Sequence, residues 1–509
     1  MGVSDMEWSP AVCLLFFFGL GLFYNAFNKR TITRNGSPLR NSPGTLPIVS
    51  NGIVFLQPRE NLFKWFTGCI DSYGQETLRI KVPFLPPGVI ISDPTNLDYI
   101  FKQDRIFEKG KFFKERLWDL FGNGIVNVDG DLWKQQRKAG LQFFSVANMR
   151  HLANSELPTI LEHAVKNLML RADGRTVVDL EAVMHEITTQ LMGKLAYGME
   201  MHADDDFTVA FDYVSSMIAR RFQNPLWFVT EFITGWKLRR SIRTMKDFGQ
   251  HLVSHALAVR NSKAMDSSNT DHETSGDLIH ALFDSLGDEK LVADSALNYL
   301  SAGKDTVAQA LTWTFYLLMK HEEMADTLHN VIQGDVQDNA TGLFLTPEHL
   351  KPNSVAYIVA TFYESLRLHP PIPVEIKQAQ QDTILPDGTF LGKNTIVVWC
   401  TWALNRSKKT WGNDADQYRP DRWLAGGQIL QRSAADFPVF QGGSRLCLGK
   451  KMAELIAVQV IMTLITTFEI SPAFEGDKVS RTHLTLPMEG GLHVYLKRRS
   501  VKDHTGLSS

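Results

Sequence analysis

Apolar residues recur at helical spacing through the middle of the chain. Apolar positions at i, i+3, i+4 and i+7 share one face of an α-helix, so the pattern predicts that helices dominate residues 93–369. The clearest helical stretches are Leu180–Met199, Phe207–Phe222, Leu238–Val259 and a longer one over about Asp294–His321.

Short β-prone runs flank this helical part of the chain. Thr77–Val82 and Val89–Ser92 read as a hairpin, and Pro386–Gly388 reads as a turn between two short strands. Leu484–Leu496 reads as a final hairpin that turns at two adjacent glycines, and the polar stretch Asn261–Gly276 reads as a surface loop. The pattern therefore predicts a mainly α protein with small peripheral sheets.

The amino terminus carries a run of 17 mostly apolar residues, Ala11–Phe27. This length reaches the lower limit for a helix that spans a bilayer. Acidic residues precede the run and basic residues follow it, which favours an uncleaved anchor with the rest of the chain on the cytoplasmic side. A buried first helix is the alternative. We predict an anchor over residues 1–28 and a proline-rich hinge over residues 29–50.

Composition narrows the class of protein. The 509 residues are 44% hydrophobic and 21% charged, which excludes collagen-like and disordered chains, and the net charge of −2 argues against a strongly basic nucleic-acid binder. The cysteines lie far apart with no C-x-x-C pair, so neither a disulfide scaffold nor a cysteine-rich zinc module is expected. The four cysteines are Cys13, Cys69, Cys400 and Cys447.

Only Cys447 lies in a recognisable motif. Residues 440–449 fit the pattern F-x-x-G-x-R-x-C-x-G, with Phe440, Gly443, Arg445, Cys447 and Gly449 at its fixed positions. The glycines allow tight turns and close approach to a flat ligand, and backbone N–H groups at the start of the following helix can stabilise a thiolate. The arginine can pair with a carboxylate of that ligand. The alternative is a buried, inert cysteine.

The long predicted helix contains Ala302-Gly303-Lys304-Asp305-Thr306. Glycine inside a helix costs about 1 kcal/mol relative to alanine, so a purely structural helix disfavours it. We interpret Ala302 and Gly303 as leaving room for a flat cofactor, and Asp305 with Thr306 as an acid and alcohol pair suited to proton transfer.

Two weaker motifs accompany these. Glu364 and Arg367 lie three residues apart on one helical face, and Trp133 and Arg137 lie four residues apart on another. Taken alone, each is typical of an ordinary surface or core pair.

Together, these motifs resemble the cytochrome P450 family over essentially residues 30–498. The resemblance implies a P450 fold with a catalytic domain over residues 51–498, a C-terminal tail over residues 499–509, and haem b with Cys447 as axial thiolate ligand. It implies that Trp133, Arg137 and Arg445 lie at the haem propionates. Lys377 stands where the family usually carries arginine, which leaves the fork-like propionate contact in doubt.

The resemblance also assigns the remaining site residues. Glu364, Arg367 and Arg422 would form a buried triad that holds the cysteine loop, and Asp305 and Thr306 would be catalytic. Phe440, Gly443 and Gly449 would shape the haem loop. Four segments would line the substrate pocket, with Phe112, Phe113, Leu117 and Trp118 prominent; the segments are Lys111–Asn127, Leu297–Thr306, Ile372–Glu375 and Leu484–Met488.

The implied activity is a monooxygenase that takes electrons from NADPH through the separate NADPH–cytochrome P450 reductase, with cytochrome b5 as a further donor. Six lysines could form a docking face or be scattered solvated charges; they are Lys134, Lys138, Lys408, Lys409, Lys450 and Lys451. The apolar segment Asn224–Trp236 could dip into a membrane surface or pack in the core. We expect an endoplasmic reticulum membrane protein with its catalytic domain in the cytosol.

Within this family the sequence, including its Ala-Gly-Lys-Asp-Thr helix, looks most like fungal members that hydroxylate alkanes and fatty acids and like plant fatty-acid hydroxylases. Hydroxylation of a long aliphatic substrate is therefore the first hypothesis. The second is oxidation of a specialised polyketide or lipid-like metabolite in a biosynthetic pathway. The third is a haem-thiolate protein that rearranges or binds its ligand without activating dioxygen.

Overall fold

The computed structural model describes Gly19 and residues 32–265, 277–335 and 350–499. The predicted membrane anchor otherwise lies outside these residues, as does Cys13. Among the described residues, no helix is both long and apolar enough to cross a bilayer. Residues 32–38, part of the predicted hinge, form two strands that attach to the body of the protein through a later strand.

Helices make up most of the described chain, as predicted. They are α1 Gly52–Phe55, α2 Arg59–Tyr73, α3 Pro94–Lys102, α4 Gly110–Phe121, α5 Gly130–Phe143, α6 Val146–His151, α7 Leu157–Met169, α8 Leu180–Tyr197, α9 Asp206–Arg221, α10 Trp227–Thr234, α11 Trp236–Met265, α12 Asp277–Leu286, α13 Glu289–Lys320, α14 Glu322–Asp335, α15 Pro352–Leu368, α16 Thr401–Leu404, α17 Lys408–Trp411 and α18 Lys450–Thr467.

The strands form four small sheets. They are β1 Ile32–Arg34, β2 Ser37–Pro38, β3 Leu78–Ile80, β4 Gly88–Ile90, β5 Phe107–Glu108, β6 Asp173–Asp179, β7 Glu375–Ala379, β8 Thr383–Ile384, β9 Thr389–Leu391, β10 Ile396–Trp399, β11 Leu424–Ala425, β12 Gln428–Ile429, β13 Phe468–Pro472 and β14 His493–Arg498. Their orders are β2-β1-β9-β8, β3-β4-β10-β7-β5, β11-β12 and β13-β14-β6.

The central helix, α13, organises the core. Asp288 caps its start by accepting the N–H of Leu291 at 2.8 Å, which satisfies a donor that the helix cannot. Between Val292 and Leu318 every residue is buried except Ala302, Gly303 and Thr306. A helix buried on nearly all sides is an interior helix, and its unburied patch marks the site.

The five-stranded sheet forms one wall beside this helix. β10 lies at its centre, pairing in parallel with β4 and antiparallel with β7, which places Lys377 opposite Val397. The predicted β3–β4 hairpin is confirmed by antiparallel pairing of Leu78 with Ile90.

Two local predictions need correction. Leu484–Leu496 does not form the predicted hairpin about its two glycines, because β14 pairs with β13 and with β6, a strand that the sequence pattern did not indicate. The helix α11 continues to Met265, so residues 261–265 of the predicted surface loop are helical and only 266–276 lie outside the described residues.

Candidate active site

A cavity of about 560 Å³ lies against the unburied patch of α13. Ala302, Gly303, Asp305 and Thr306 line one part of it, and Cys447 lines another. The walls are mostly aromatic and aliphatic. This places the two strongest sequence motifs, which are about 140 residues apart in the chain, on one interior space.

All four predicted pocket segments contribute to the lining, but with one misplaced residue. Trp118 does not line the cavity; it is 51% exposed on the outer side of α4. Helix α4 turns its aromatic face inward one residue earlier, since neighbouring helical positions point about 100° apart. The α4 side chains on the cavity are Phe112, Phe113, Leu117 and Phe121.

The cysteine loop is built by backbone geometry. Gly443 has φ +60°, and a Cβ there would collide with the carbonyl oxygen of Phe101, so only glycine fits. The N–H of Cys447 donates to the carbonyl of Phe440 at 2.8 Å, which closes the loop just before α18 begins at Lys450. The loop thus holds the cysteine in one fixed position.

Cys447 lines the cavity at the start of α18. Burial raises the pKa of this thiol, while the N–H groups of Gly449 and Lys450 and the nearby Arg137 act in the opposite direction. A thiolate here therefore needs a cation in front of it to be stable. No cluster of three or more His, Cys, Asp or Glu side chains suited to a bare metal ion occurs in the part of the chain that the structure describes.

A cationic group lies beside the cysteine around Trp133. The guanidinium carbons of Arg445 and Arg137 lie 4.1 Å and 5.4 Å from the Trp133 ring centroid. Arg137 donates to the carbonyl of Leu446 at 3.0 Å, which links α5 to the cysteine loop. Arg445 donates to Asp129 at 2.7 Å, a partner that sequence reasoning missed because no motif connects the two residues.

Lys377 lies near Arg445 and forms no ion pair with the described residues, although Glu375 and Asp129 are close enough to act on its charge. Its side chain is 3% exposed, lines the cavity, and its Nζ has no hydrogen-bond partner. Burial, reinforced by Lys109 and Arg445, lowers the pKa of Lys377 to about 8. A buried ammonium that has no hydrogen-bond partner and lies near Arg445 fits a ligand that carries carboxylates. With the sulfur of Cys447, these residues fit a haem, whose iron needs an axial ligand and whose edge carries two propionates.

Glu364 lies at the centre of the predicted triad, and the structure brings its members together. Its carboxylate accepts Arg367 Nε and Nη2, both at 2.8 Å, and Arg422 Nε at 3.2 Å. Trp423 Nε1 adds a further bond at 2.9 Å. Arg367 also donates to the carbonyls of Asn405, Ala415 and Gln417, so the triad fastens α15 to the segment that leads to the cysteine loop.

The acid and alcohol of α13 each bond a different neighbour in the structure. The Thr306 hydroxyl donates to the carbonyl of Ala302 at 2.7 Å, and Asp305 Oδ1 lies 2.5 Å from Nζ of the buried Lys304. Adjacent helical residues point in different directions, which is why each of the two side chains has its own partner. His185, 3.9 Å from Asp305, has its pKa lowered to about 4, mainly by burial.

Gly303 serves helix packing as well as the cavity. A Cβ at this position would collide with the side chain of Met192 on α8. The glycine therefore permits α8 to lie close to α13, while Ala302 is exposed toward the cavity that it lines.

Helix α10 lies within the apolar segment Asn224–Trp236, for which the sequence allowed either core packing or contact with a membrane surface. None of its residues is buried, and Phe232 is 83% exposed, so core packing does not explain its apolar character. Gln223 Nε2 donates to the carbonyl of Gln57 at 3.5 Å, which joins the start of this region to the N-terminal part of the body. Exposed apolar side chains occur on both sides of that contact; they include Ile48, Ile53, Leu56, Phe228, Ile233 and Trp236.

Comparison with known protein families matches residues 41–493 to the family described as Cytochrome P450. Among similar proteins, Cytochrome P450 94B1 of Arabidopsis thaliana is 29% identical over 98% of this chain and 99% of its own. Cytochrome P450 94B3 of the same plant is 30% identical over 90% of this chain and 92% of its own. Cytochrome P450 94A2 of Vicia sativa is 28% identical over 97% and 98%. These three relatives are plant proteins and do not bear on the predicted likeness to fungal members.

Proposed function

Because the chain belongs to the cytochrome P450 family and is a monooxygenase, we propose that it hydroxylates a long-chain aliphatic substrate. The observation that carries this proposal is the shared cavity. Cys447 and Thr306 line one space whose remaining walls are mainly apolar and aromatic. Such a lining favours hydrocarbon over polar substrates, because burial of apolar surface drives binding.

The roles of the residues follow from their positions. In this family, haem b with a cysteine thiolate as axial ligand supplies the activation of dioxygen. Here Cys447 would hold the iron, and the carboxylates of the haem would bind Arg137, Lys377 and Arg445, with Trp133 beside the two arginines. Glu364 and its partners would keep the loop from moving, which is a structural role.

Thr306 is the residue best placed to handle protons. Its hydroxyl lies on the cavity and is held by the carbonyl of Ala302. A hydroxyl can donate and accept at the same time, so it can hold or pass a proton there. Asp305 would act less directly, since Lys304 already neutralises its carboxylate. This hydroxyl favours oxidation over the isomerase alternative.

Electrons would come from NADPH–cytochrome P450 reductase, with cytochrome b5 as a further donor. Five of the six predicted docking lysines are exposed, and two of them lie on α5, the helix that contacts the cysteine loop through Arg137. Exposed lysines can attract an acidic flavoprotein surface. Lys450 is half-buried near Glu454 and contributes less.

We also propose attachment to the endoplasmic reticulum membrane through residues 1–28, with the catalytic domain in the cytosol. The exposed apolar side chains around α10 and residues 48–56 support this placement, because an apolar surface of this kind suits a lipid interface.

Reconstitution tests the proposal. The purified protein, reductase and NADPH are incubated with a panel of alkanes, fatty acids, fatty alcohols and polyketides, and products are identified by mass spectrometry. We expect NADPH- and dioxygen-dependent gain of one oxygen atom on the aliphatic members. Turnover of polyketides alone would favour the biosynthetic alternative, and product formation without NADPH would favour the isomerase. No product from a protein with intact haem-thiolate spectrum would contradict the proposed substrate class.

A further inference from the structure

Most charged side chains that line the cavity are either paired or belong to the cationic group beside Cys447. Arg137, Lys377 and Arg445 form the group beside Cys447, and Lys109 lies 3.7 Å from Glu375. Asp305 is held by Lys304. The remaining cation is Arg59, at the start of α2.

Arg59 is buried without a counter-charge. The residue is 9% exposed, and no carboxylate of the described residues lies within ion-pair distance of its guanidinium. Its Nη1 donates to the carbonyls of Arg481 at 3.0 Å and Thr485 at 2.6 Å. Its guanidinium carbon lies 5.2 Å from the ring centroid of Phe63. Nε and Nη2 donate to none of the described residues.

This arrangement is costly unless something binds there. Burial lowers the pKa of Arg59 to about 9. A buried cation that lacks a carboxylate partner is stabilised when an anion binds beside it. The guanidinium is rigidly positioned, since Nη1 is fixed by two carbonyls. Its free N–H groups therefore form a preorganised donor site at the cavity wall.

The surroundings of Arg59 restrict the ligand to an amphiphile. On its own side of the cavity the lining residues are apolar, namely Phe55, Leu62, Phe63 and Phe66, while Thr482, His483 and Thr485 add polar groups next to the carbonyl of Thr485 that Arg59 bonds. An anion there must be attached to a hydrocarbon body that fills the rest of the space. The planar fork of the guanidinium matches a carboxylate in particular.

We propose that Arg59 binds the carboxylate of a long-chain aliphatic acid whose chain lies along the cavity toward Cys447. This inference rests on the proposed hydroxylase function and narrows its substrate class from aliphatic molecules in general to aliphatic acids. Arg59 is a specificity-determining residue in this account, and it does not take part in the chemistry.

Equilibrium dialysis with radiolabelled hexadecanoic acid and methyl hexadecanoate tests the proposal without turnover. We expect Arg59→Met to weaken binding of the acid by about 10- to 100-fold, as loss of a charged hydrogen bond implies, and to leave the ester within about 3-fold. Arg59→Lys should recover part of the affinity for the acid. The matched control, Lys109→Met, removes a cavity cation that is already paired and should leave the preference for the acid unchanged.

The outcomes separate the two levels of the account. Equal loss of acid and ester in Arg59→Met, or no preference for the acid in the wild-type protein, would overturn the proposal. The carbon monoxide difference spectrum and the thermal unfolding midpoint of each variant report whether it is folded and holds haem, and Arg59→Lys provides the comparison if Arg59→Met does not fold. Failure of the hydroxylase function would instead appear as absence of NADPH-dependent product from every substrate.

Discussion

Replacing Glu364 by alanine should cause a large loss of stability. The carboxylate is 0% exposed and accepts five hydrogen bonds, from Arg367 Nε and Nη2, Arg422 Nε, Trp423 Nε1 and the N–H of Arg419. Glu364→Ala leaves the buried guanidinium of Arg367 without a counter-ion, and it leaves Arg422 with Asp414 at 3.2 Å as its remaining carboxylate. Breaking a buried pair in this way costs about 3–5 kcal/mol, against a total stability of about 5–15 kcal/mol for a typical domain.

The measurement is urea unfolding of the purified protein, followed by tryptophan fluorescence, together with haem content. We expect a markedly lower unfolding midpoint and reduced haem content, because the triad fastens the segment before the cysteine loop. Glu162→Ala is the matched control, since Glu162 pairs with Lys166 at 2.6 Å on the surface and its loss should hardly change the midpoint. If Glu364→Ala unfolded at the same urea concentration as Glu162→Ala, the reasoning about the triad would be refuted.

Two further predictions concern buried titratable groups. Lys377→Met should stabilise the haem-free protein, because it removes a buried cation whose Nζ has no hydrogen-bond partner. The variant should also release haem about 10-fold faster, because a haem propionate loses its partner. Transfer of haem to apomyoglobin measures the release rate, and an unchanged rate would contradict the prediction. Burial lowers the pKa of His483 from its ordinary 6.5 to about 4. Between these two pH values the unfolded chain binds a proton that the folded protein does not, so stability falls as pH drops through that window, by up to about 3 kcal/mol. Urea unfolding should show a shallower acid-side loss in His483→Gln, and identical pH profiles would count against this cause.

Local features were predictable from the sequence. The cysteine loop is a motif of ten consecutive residues, so its position and Cys447 could be read from the sequence, whereas the contact of Gly443 with the carbonyl of the distant Phe101 could not. The spacing of apolar residues predicted the helices of the core. The predicted bounds of α13 agree with the structure to within about five residues at each end.

Features that depend on distant partners were not predictable. β14 carries an apolar pattern that suits any partner strand, so its pairing with β6 and β13 could not be inferred, and β6 itself has few apolar residues. The pairing of Asp129 with Arg445 spans more than three hundred residues and leaves no local pattern. The sequence pattern did not indicate a binding role for Arg59. That role depends on the lack of a carboxylate beside the guanidinium, and only the packed structure shows which side chains lie beside it.

Thr306 and Asp305 show a limit of another kind. The motif correctly led to the cavity, but it suggested an acid and alcohol acting as a pair. The side chain of Lys304 folds back onto Asp305, which changes the expected share of the two residues in proton handling. The contacts of Asp305 and Thr306 depend on the direction of each side chain on the helix and on the neighbouring charge of Lys304, and the motif does not specify these.

The central claim is that Cys447 provides the thiolate ligand of a haem. The most direct measurement is the carbon monoxide difference spectrum of the reduced protein, compared between wild type and Cys447→Ala. We predict the band typical of a thiolate-ligated haem in the wild-type protein and its loss in the variant, with Cys400→Ala as a control that retains it because Cys400 is buried away from the cavity lining. A thiolate-type band that persists in Cys447→Ala would contradict the account.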